Sequence, residues 1–248
     1  MDASLEFRDV TVTIATPSDI DSEHNALCGF KDNGPPKGDE DAVCWVAVPH
    51  SLQFCIHVAY NGVSPPVPNA GLSCRVEIDG TGVLCNAFIT PESILKAVAQ
   101  RINHEPVLDG EVEITGLVSD DDNTRIHHLC FLERLTTDSG ENISPPNSDE
   151  FGIVEVVVSW SRELDHMAEA SDFEESCDLE LLTKPVHERQ KDIQYRYIGG
   201  VGPAEYDPSH DAWSVYDTMP VQDEDGYVFQ FKYRDLGWLQ TKGIAPRS

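Results

Sequence analysis

The sequence predicts a mainly β protein: an antiparallel β-sandwich, jelly-roll-like, with one or two short helices and a C-terminal strand–helix extension. Three observations point there. Six stretches alternate apolar and polar residues with a period of two, which puts one set of side chains on each face of a pleated strand. Clusters of Gly, Pro, Asn and Asp separate these stretches. Hydrophobic residues make up 40% of the 248, enough for a core with much polar loop left over.

Val10, Val12 and Ile14 alternate with Thr11 and Thr13 and predict a first strand near 5–15. Residues 16–41 hold Pro17, Gly29, Gly34, Pro35, Pro36 and Gly38 among many charges and read as loop. Residues 42–49 are nearly all apolar and too few for a helix, so they read as a strand covered on both faces. Residues 53–60 put Phe54, Ile56, Val58 and Tyr60 on one face; with Pro49-His50-Ser51 as the turn, the two segments read as a hairpin. The Gly/Pro run over 61–71 cannot continue a ladder.

Residues 72–79 show the clearest alternation. Leu72, Cys74, Val76 and Ile78 point one way; Ser73, Arg75, Glu77 and Asp79 point the other. With 83–89 they form a hairpin around Asp79-Gly80, because glycine tolerates positive φ. The period then changes: Ile94, Leu95, Val98 and Ile102 share a helical face, Thr90 is placed as N-cap and Pro91 stands in the first turn. Residues 111–118 alternate again. A strand over 125–135 puts Ile126, His128, Cys130 and Leu132 on one side, and one over 152–160 does the same with Val154, Val156, Val158 and Trp160.

Residues 162–182 carry eight carboxylates and one arginine, interleaved with Leu164, Met167, Phe173, Cys177 and Leu181. This spacing fits an amphipathic helix in part and an acidic disordered linker in part. No clear period runs through 183–226. Tyr227, Phe229, Phe231 and Tyr233 then share one strand face, and a short helix over 235–242 stops at Gly243. The organisation expected is a β-sandwich domain over 1–160, an acidic linker over 161–192 and an aromatic-rich extension over 193–248 that packs on the sandwich or on a partner.

The formal charge is −27, and the acidic excess spreads along the whole chain. Such a field repels phosphate backbones and anionic lipid, so nucleic acid and membrane surfaces are not expected partners; a basic protein partner or plain solubility fits. The start, MDASLEFRDV, lacks a basic, apolar signal pattern, and no apolar run reaches membrane-spanning length, so the expected location is intracellular, cytoplasmic or nuclear. The seven cysteines include no CxxC and read as reduced core residues, although Cys74 and Cys85 flank a hairpin and can pair in an oxidising compartment.

Catalytic signatures are lacking. There is no HExxH and no GxSxG, and Gly199-Gly200-Val201-Gly202 lacks the P-loop lysine. His127 and His128 are neighbours on a strand and face opposite sides. A zinc site from His57, His128 and Cys130 is conceivable, against the blander reading of satisfied core and surface histidines. The turns Asp120-Asp121-Asp122-Asn123 and Asp223-Glu224-Asp225-Gly226 offer calcium-type oxygens without EF-hand spacing; solvated turns are the default. Trp213, Tyr216, Tyr195, Tyr197 and Tyr206 either wrap the sandwich edge or contact a partner or sugar.

The order of several pieces carries a resemblance. These are the strand Val43-Cys44-Trp45-Val46, then QFCIHVAY, a strand ending in Asp79-Gly80, a late GIVEVVVSW strand and the ending FQFKYRDLGWLQTKGIAPR. Together they resemble a domain family of unknown function widespread in filamentous fungi, in which a β-rich domain is followed by a polar segment and a closing FKYR…LQ..GI motif. The resemblance implies a fungal source and a β-sandwich. The helix over 91–103 departs from that pattern, and the resemblance implies no catalytic residue.

The function expected is a non-catalytic protein–protein interaction module with no cofactor and no metal. Tyr227, Phe229, Phe231, Tyr233 and Trp238 are the candidate partner anchors, with Trp213 and Tyr216 beside them. The alternatives are a carbohydrate- or calcium-dependent binding module and a hydrolase with a dispersed site.

Overall fold

The structure, a computed structural model, describes residues 1–17, 25–31, 41–80, 83–118, 125–133, 136–137, 151–163, 186–187, 197–206, 218–221 and 226–247. It is mainly β. Among the described residues are eighteen strands, in sheets of seven, five, four and two, and two short helices.

The chain opens with β1 (Ser4–Phe7) and β2 (Val10–Thr16), paired antiparallel. The single strand expected near 5–15 is thus a hairpin. It turns on Arg8 and Asp9, both left-handed at φ 46° and 66°, a turn its sequence hides because neither residue is glycine. Within the expected loop lie β3 (Asn25–Ala26) and β4 (Gly29–Lys31). Then follow β5 (Asp41–Val48), β6 (Leu52–Gln53), β7 (Cys55–Tyr60), β8 (Gly71–Ile78) and β9 (Val83–Ile89). Helix α1 (Pro91–Ile102) comes next; the Thr90 hydroxyl accepts from the Ser93 N–H at 3.2 Å, as its N-cap position requires. After it come β10 (Glu111–Ile114), β11 (Gly116–Val118), β12 (Arg125–Glu133), β13 (Thr136–Thr137) and β14 (Ile153–Glu163). The last elements are β15 (Val186–His187), β16 (Tyr197–Tyr206), β17 (Thr218–Pro220), β18 (Tyr227–Asp235) and α2 (Leu236–Thr241).

The seven-stranded sheet has the order β4-β5-β18-β14-β8-β9, with β17 joining β14 beyond the reach of β18. The expected 72–89 hairpin is present as β8–β9, and Asp79 and Gly80 both have positive φ, 53° and 66°. The expected hairpin of 42–49 with 53–60 does not form. β5 lies between β4 and β18 and runs parallel to β18, whereas β7 pairs with β2 and β10 in the five-stranded sheet. The short connection over 49–51 takes the chain out of the seven-stranded sheet into β6 of the four-stranded one, and β7 of the five-stranded sheet follows directly.

The five-stranded sheet, β1-β2-β7-β10 with β3, is joined to the four-stranded sheet, β11-β12-β16 with β6. At Phe54 and Thr115 the β7 and β10 strands end, and their continuations β6 and β11 each pair with β12. Leu129 sits between them: its N–H donates to the Thr115 carbonyl and its carbonyl accepts from the Phe54 N–H, both at 2.9 Å. There β12 carries a bulge between His127 and Leu129, which shifts its alternation. Ile126 is buried before the bulge. After it Leu129 and Phe131 are fully buried, so the single face expected for Ile126, His128, Cys130 and Leu132 is interrupted.

One core joins the three large sheets. Val12, Ile14, Ile56 and Val58 come from the five-stranded sheet. Val76, Val156, Phe229 and Phe231 come from the seven-stranded one, and Leu129 and Phe131 from the four-stranded one. Phe54 stacks on Phe131 with centroids 4.2 Å apart, and Phe131 meets Tyr233 at 4.7 Å. A second, small cluster lies under α2 on the outer face of β5: Ala47, Leu239 and Ala245, flanked by Phe30, Trp45, Trp238 and Ile244. β5 is therefore covered on both faces, which explains its continuous apolar run.

Candidate functional site

Four chain segments that are remote in sequence meet at one carboxylate. Asp79 ends the polar set of β8, yet it is only 2% exposed. The alternation predicts a solvent-facing residue; the left-handed backbone at Asp79 turns its side chain inward instead. Its Oδ1 accepts from the N–H groups of Gly152 at 2.6 Å and Ile153 at 3.2 Å, at the start of β14. Its Oδ2 accepts from the Tyr233 hydroxyl on β18 at 2.5 Å and from the Gly199 N–H on β16 at 3.3 Å. The Gly199 N–H also reaches the Tyr233 oxygen at 2.5 Å.

Two glycines make this convergence sterically feasible. A Cβ on Gly199 would lie 2.4 Å from Ile78 Cγ2 and 3.2 Å from the Tyr233 oxygen. The run Gly199-Gly200-Val201-Gly202 is thus part of a strand that passes close over its neighbours. Gly152 has φ +71°, and a Cβ there would overlap Arg234. Its N–H goes to Asp79, and its carbonyl accepts from Arg234 Nη1 at 2.8 Å and from the Tyr233 N–H at 2.9 Å.

Arg234 lies on the other face of β18 and is 8% exposed. Besides Gly152, its Nη1 donates to the Tyr233 carbonyl at 2.7 Å and its Nη2 to the Phe151 carbonyl at 3.1 Å. Its guanidinium lies 5.6 Å from the Trp45 ring and 5.8 Å from the Trp238 ring. Lys232 stands over Trp45 at 5.2 Å and Lys242 over Trp238 at 5.6 Å, and the two indoles are 5.7 Å apart. This cation–aromatic array fastens α2 to the sheet.

The electrostatics follow from burial. Desolvation pushes the Asp79 carboxyl up to about 6, although all four donors pull it down. Burial, and then the adjacent Asp79 carboxylate, hold the Tyr233 phenol well above its ordinary value. Cys74, which is free, and Cys55 are pushed up to about 12, chiefly by burial, so both stay thiols and are poor nucleophiles. Cys74 is a free thiol; the side chain of Cys85, its expected hairpin neighbour, lies outside what the structure describes.

The candidate partner anchors have different placements. Tyr227, Phe229, Phe231 and Tyr233 are buried on the core face of β18, where their contact area is taken up within the chain. Trp238 is half-buried on the outer face beside Trp45. Trp213 and Tyr216 lie outside the described residues, as do Tyr195, the acidic turn over 120–123, residues 223–225 and residues 164–185. Tyr197 is buried in the core, and its hydroxyl donates to the Pro49 carbonyl at 3.2 Å.

His57, His128 and Cys130 do not assemble. His57 Nε2 lies 3.2 Å from Glu111, His128 Nε2 lies 3.8 Å from Glu205, and the Cys130 thiol donates to the His128 carbonyl. Among the described residues no group of three or more His, Cys, Asp or Glu can hold a metal ion, and no helix is long and apolar enough to cross a membrane.

The residues of the Asp79 junction escape a reading based on reactive motifs. The sequence signal available for them is the Asp79-Gly80 turn and the alternation of the strands that hold Gly152 and Tyr233. Comparison of the chain with protein-family models, with curated proteins and with solved structures gives no match.

Proposed function

We propose that the chain is a non-catalytic protein–protein interaction module whose acidic surface draws in a basic partner. The observation that carries this reading is the net charge of −27, which favours encounter with cationic surfaces. A second feature supplies apolar contact. Val63, Leu95, Ile102, Val107 and Leu108 are exposed, and all lie on α1 or on the two loops hydrogen-bonded to its C-terminal end. Arg101 donates to the Gly62 carbonyl at 3.2 Å, and the Gln100 side chain accepts from the Leu108 N–H at 3.0 Å. The partner anchors are therefore sought there, since the Tyr227–Tyr233 stripe is interior.

Within the same proposal the architecture is a jelly-roll-like β-sandwich, supported by the shared core of the large sheets. The division at about 160 and 192, the intracellular location and membership of the fungal family belong to it too.

The test is calorimetric titration with a lysine-rich amphipathic peptide. The expected affinity falls by about tenfold or more from low to high salt, and falls again in a Leu95→Ser/Ile102→Ser/Leu108→Ser variant. Salt-independent binding removes the steering role, and unchanged affinity in the triple variant removes the α1 surface. Thermal stabilisation by calcium or glycans would favour the binding-module alternative instead.

A further inference from the structure

A local reversal of charge marks the end of β18. The chain has 44 acidic residues against 17 basic ones, yet residues 226–247 hold Lys232, Arg234, Lys242 and Arg247 with a single carboxylate, Asp235. That carboxylate is engaged as the N-cap of α2: its Oδ1 accepts from the N–H groups of Gly237 at 2.8 Å and Trp238 at 3.3 Å. Arg234 is turned onto the carbonyls of Phe151, Gly152 and Tyr233. Lys232 is half-buried, and Lys242 and Arg247 are exposed. Arg247 is held beside α2, because the Pro246 carbonyl before it accepts from Gln240 Nε2 at 3.1 Å. Apolar surface lies among these cations: Leu236 is exposed on α2, and Trp45, Trp238 and Ile244 are half-buried.

The dimensions of the face limit what it can hold. Lys232 Nζ lies 5.2 Å from the Trp45 ring, Lys242 Nζ lies 5.6 Å from the Trp238 ring, and the rings are 5.7 Å apart. The two amines are therefore at most about 17 Å from each other, the reach of about five extended residues. Each indole already has two cations beside it, so the face offers a ligand positive charge before it offers open ring. Charges further than about 8 Å away are screened at physiological salt, so contact here is governed by the local cations. A long polyanion such as nucleic acid runs off the face and into the repulsion of the acidic remainder, whereas a short segment ends within it.

We propose that this face is a docking site for a short acidic segment of a partner protein, with carboxylates flanking an apolar side chain. The carboxylates accept from the Lys232 and Lys242 ammonium groups and the Arg247 guanidinium. The apolar side chain lies against Leu236 and Trp238. The site is additional to the α1 surface and takes the opposite charge from the basic partner proposed there.

The experiment is fluorescence anisotropy of a labelled Asp-Phe-Glu-Glu peptide titrated with the full chain. Saturable binding is expected, weakening as salt rises. Lys232→Gln/Lys242→Gln and Lys242→Gln/Arg247→Gln are each expected to lower affinity about tenfold. Lys96→Gln/Arg162→Gln, which removes equal charge from exposed positions elsewhere, keeps the wild-type affinity. If the loss of Lys232 from Trp45 loosens α2, the Lys242→Gln/Arg247→Gln pair decides alone. Absence of binding overturns the proposal, as does an equal loss in all three pairs or equal binding of an Asn-Phe-Gln-Gln peptide. Tighter binding of an oligothymidylate of matched charge would reassign the face to nucleic acid. Asp172-Phe173-Glu174-Glu175 has the composition of the probe. Binding that emerges only in Asp172→Asn/Glu174→Gln/Glu175→Gln would assign the face to the chain itself and overturn the partner. The probe is acidic, so its failure is separate from failure of the lysine-rich peptide.

Discussion

The two faces of β18 are built from different chemistry. Inward, Tyr227, Phe229, Phe231 and Tyr233 are buried in the main core, and only the last ends in a polar bond, to Asp79. Outward, Lys232 and Arg234 lie among the Trp45 and Trp238 rings beneath a six-residue helix. The inner face draws on apolar area removed from water, which scales with what is buried. The outer face draws on cation–aromatic attraction at a half-wet surface, where each contact is modest. The strand is thus held at its core by burial, whereas its outer array attaches the end of the chain.

The largest effect is expected where burial is complete. Phe231→Ala leaves a cavity between three sheets and is expected to cost about 3–5 kcal/mol in urea denaturation. A cost below that of an outer-face substitution would show that β18 is fastened mainly from outside. Gly152→Ala tests the point where the faces meet. It forces a side chain into left-handed backbone and displaces Arg234 from its carbonyls, with an expected loss of about 2–4 kcal/mol. A near-neutral result would mean that the Phe151–Gly152 turn can relax and that neither Asp79 nor Arg234 depends on it.

How far these faces were legible in the sequence follows the same division. The inner stripe of β18, like those of β8 and β14, declares itself by a strict period of two, because each of these strands buries one face in the core. The β8–β9 hairpin is local and is marked by Asp-Gly. Pairing of β5 with β18 joins segments from near opposite ends of the chain and leaves no local trace. β16 hides behind its glycines, which leave 183–226 without a clear period and which the structure uses for close approach. In β12 the bulge at His127–Leu129 breaks the alternation that a uniform period extends through it. Asp79 was legible as a turn residue but not as a buried one. Its inward turn depends on a single positive φ, and its donors come from three other segments.

On the outer face smaller numbers are expected. Trp238→Ala removes a half-buried indole from the small cluster around Leu239 and is expected to cost about 1–2 kcal/mol, with loss of helical signal confined to the chain's end. Hydrogen exchange should then quicken at the amides of Lys242, Ile244 and Ala245, which donate to carbonyls of α2, and stay slow in β18. Faster exchange throughout β18 would join the two faces into one cooperative unit.

The smallest effect isolates the electrostatic part of the outer array. Lys242 lies 5.6 Å from the Trp238 ring and is exposed, so its stem contributes little packing. A double-mutant cycle of Lys242→Met with Trp238→Leu keeps an apolar side chain at both positions and removes the cation and the aromatic ring in turn. The coupling expected is about 0.5–1 kcal/mol, the scale of an exposed cation–aromatic pair. This contact differs from an ordinary surface ion pair in its response to salt. The attraction is between a charge and a ring quadrupole, which is short in range, so added salt should weaken the coupling less than it weakens the long-range steering proposed above. A coupling of zero would leave α2 held by Leu239, Ala245 and the contacts of Trp238 with Trp45 and Arg234, and would confine the cation–aromatic part of the outer face to the cations of β18 itself.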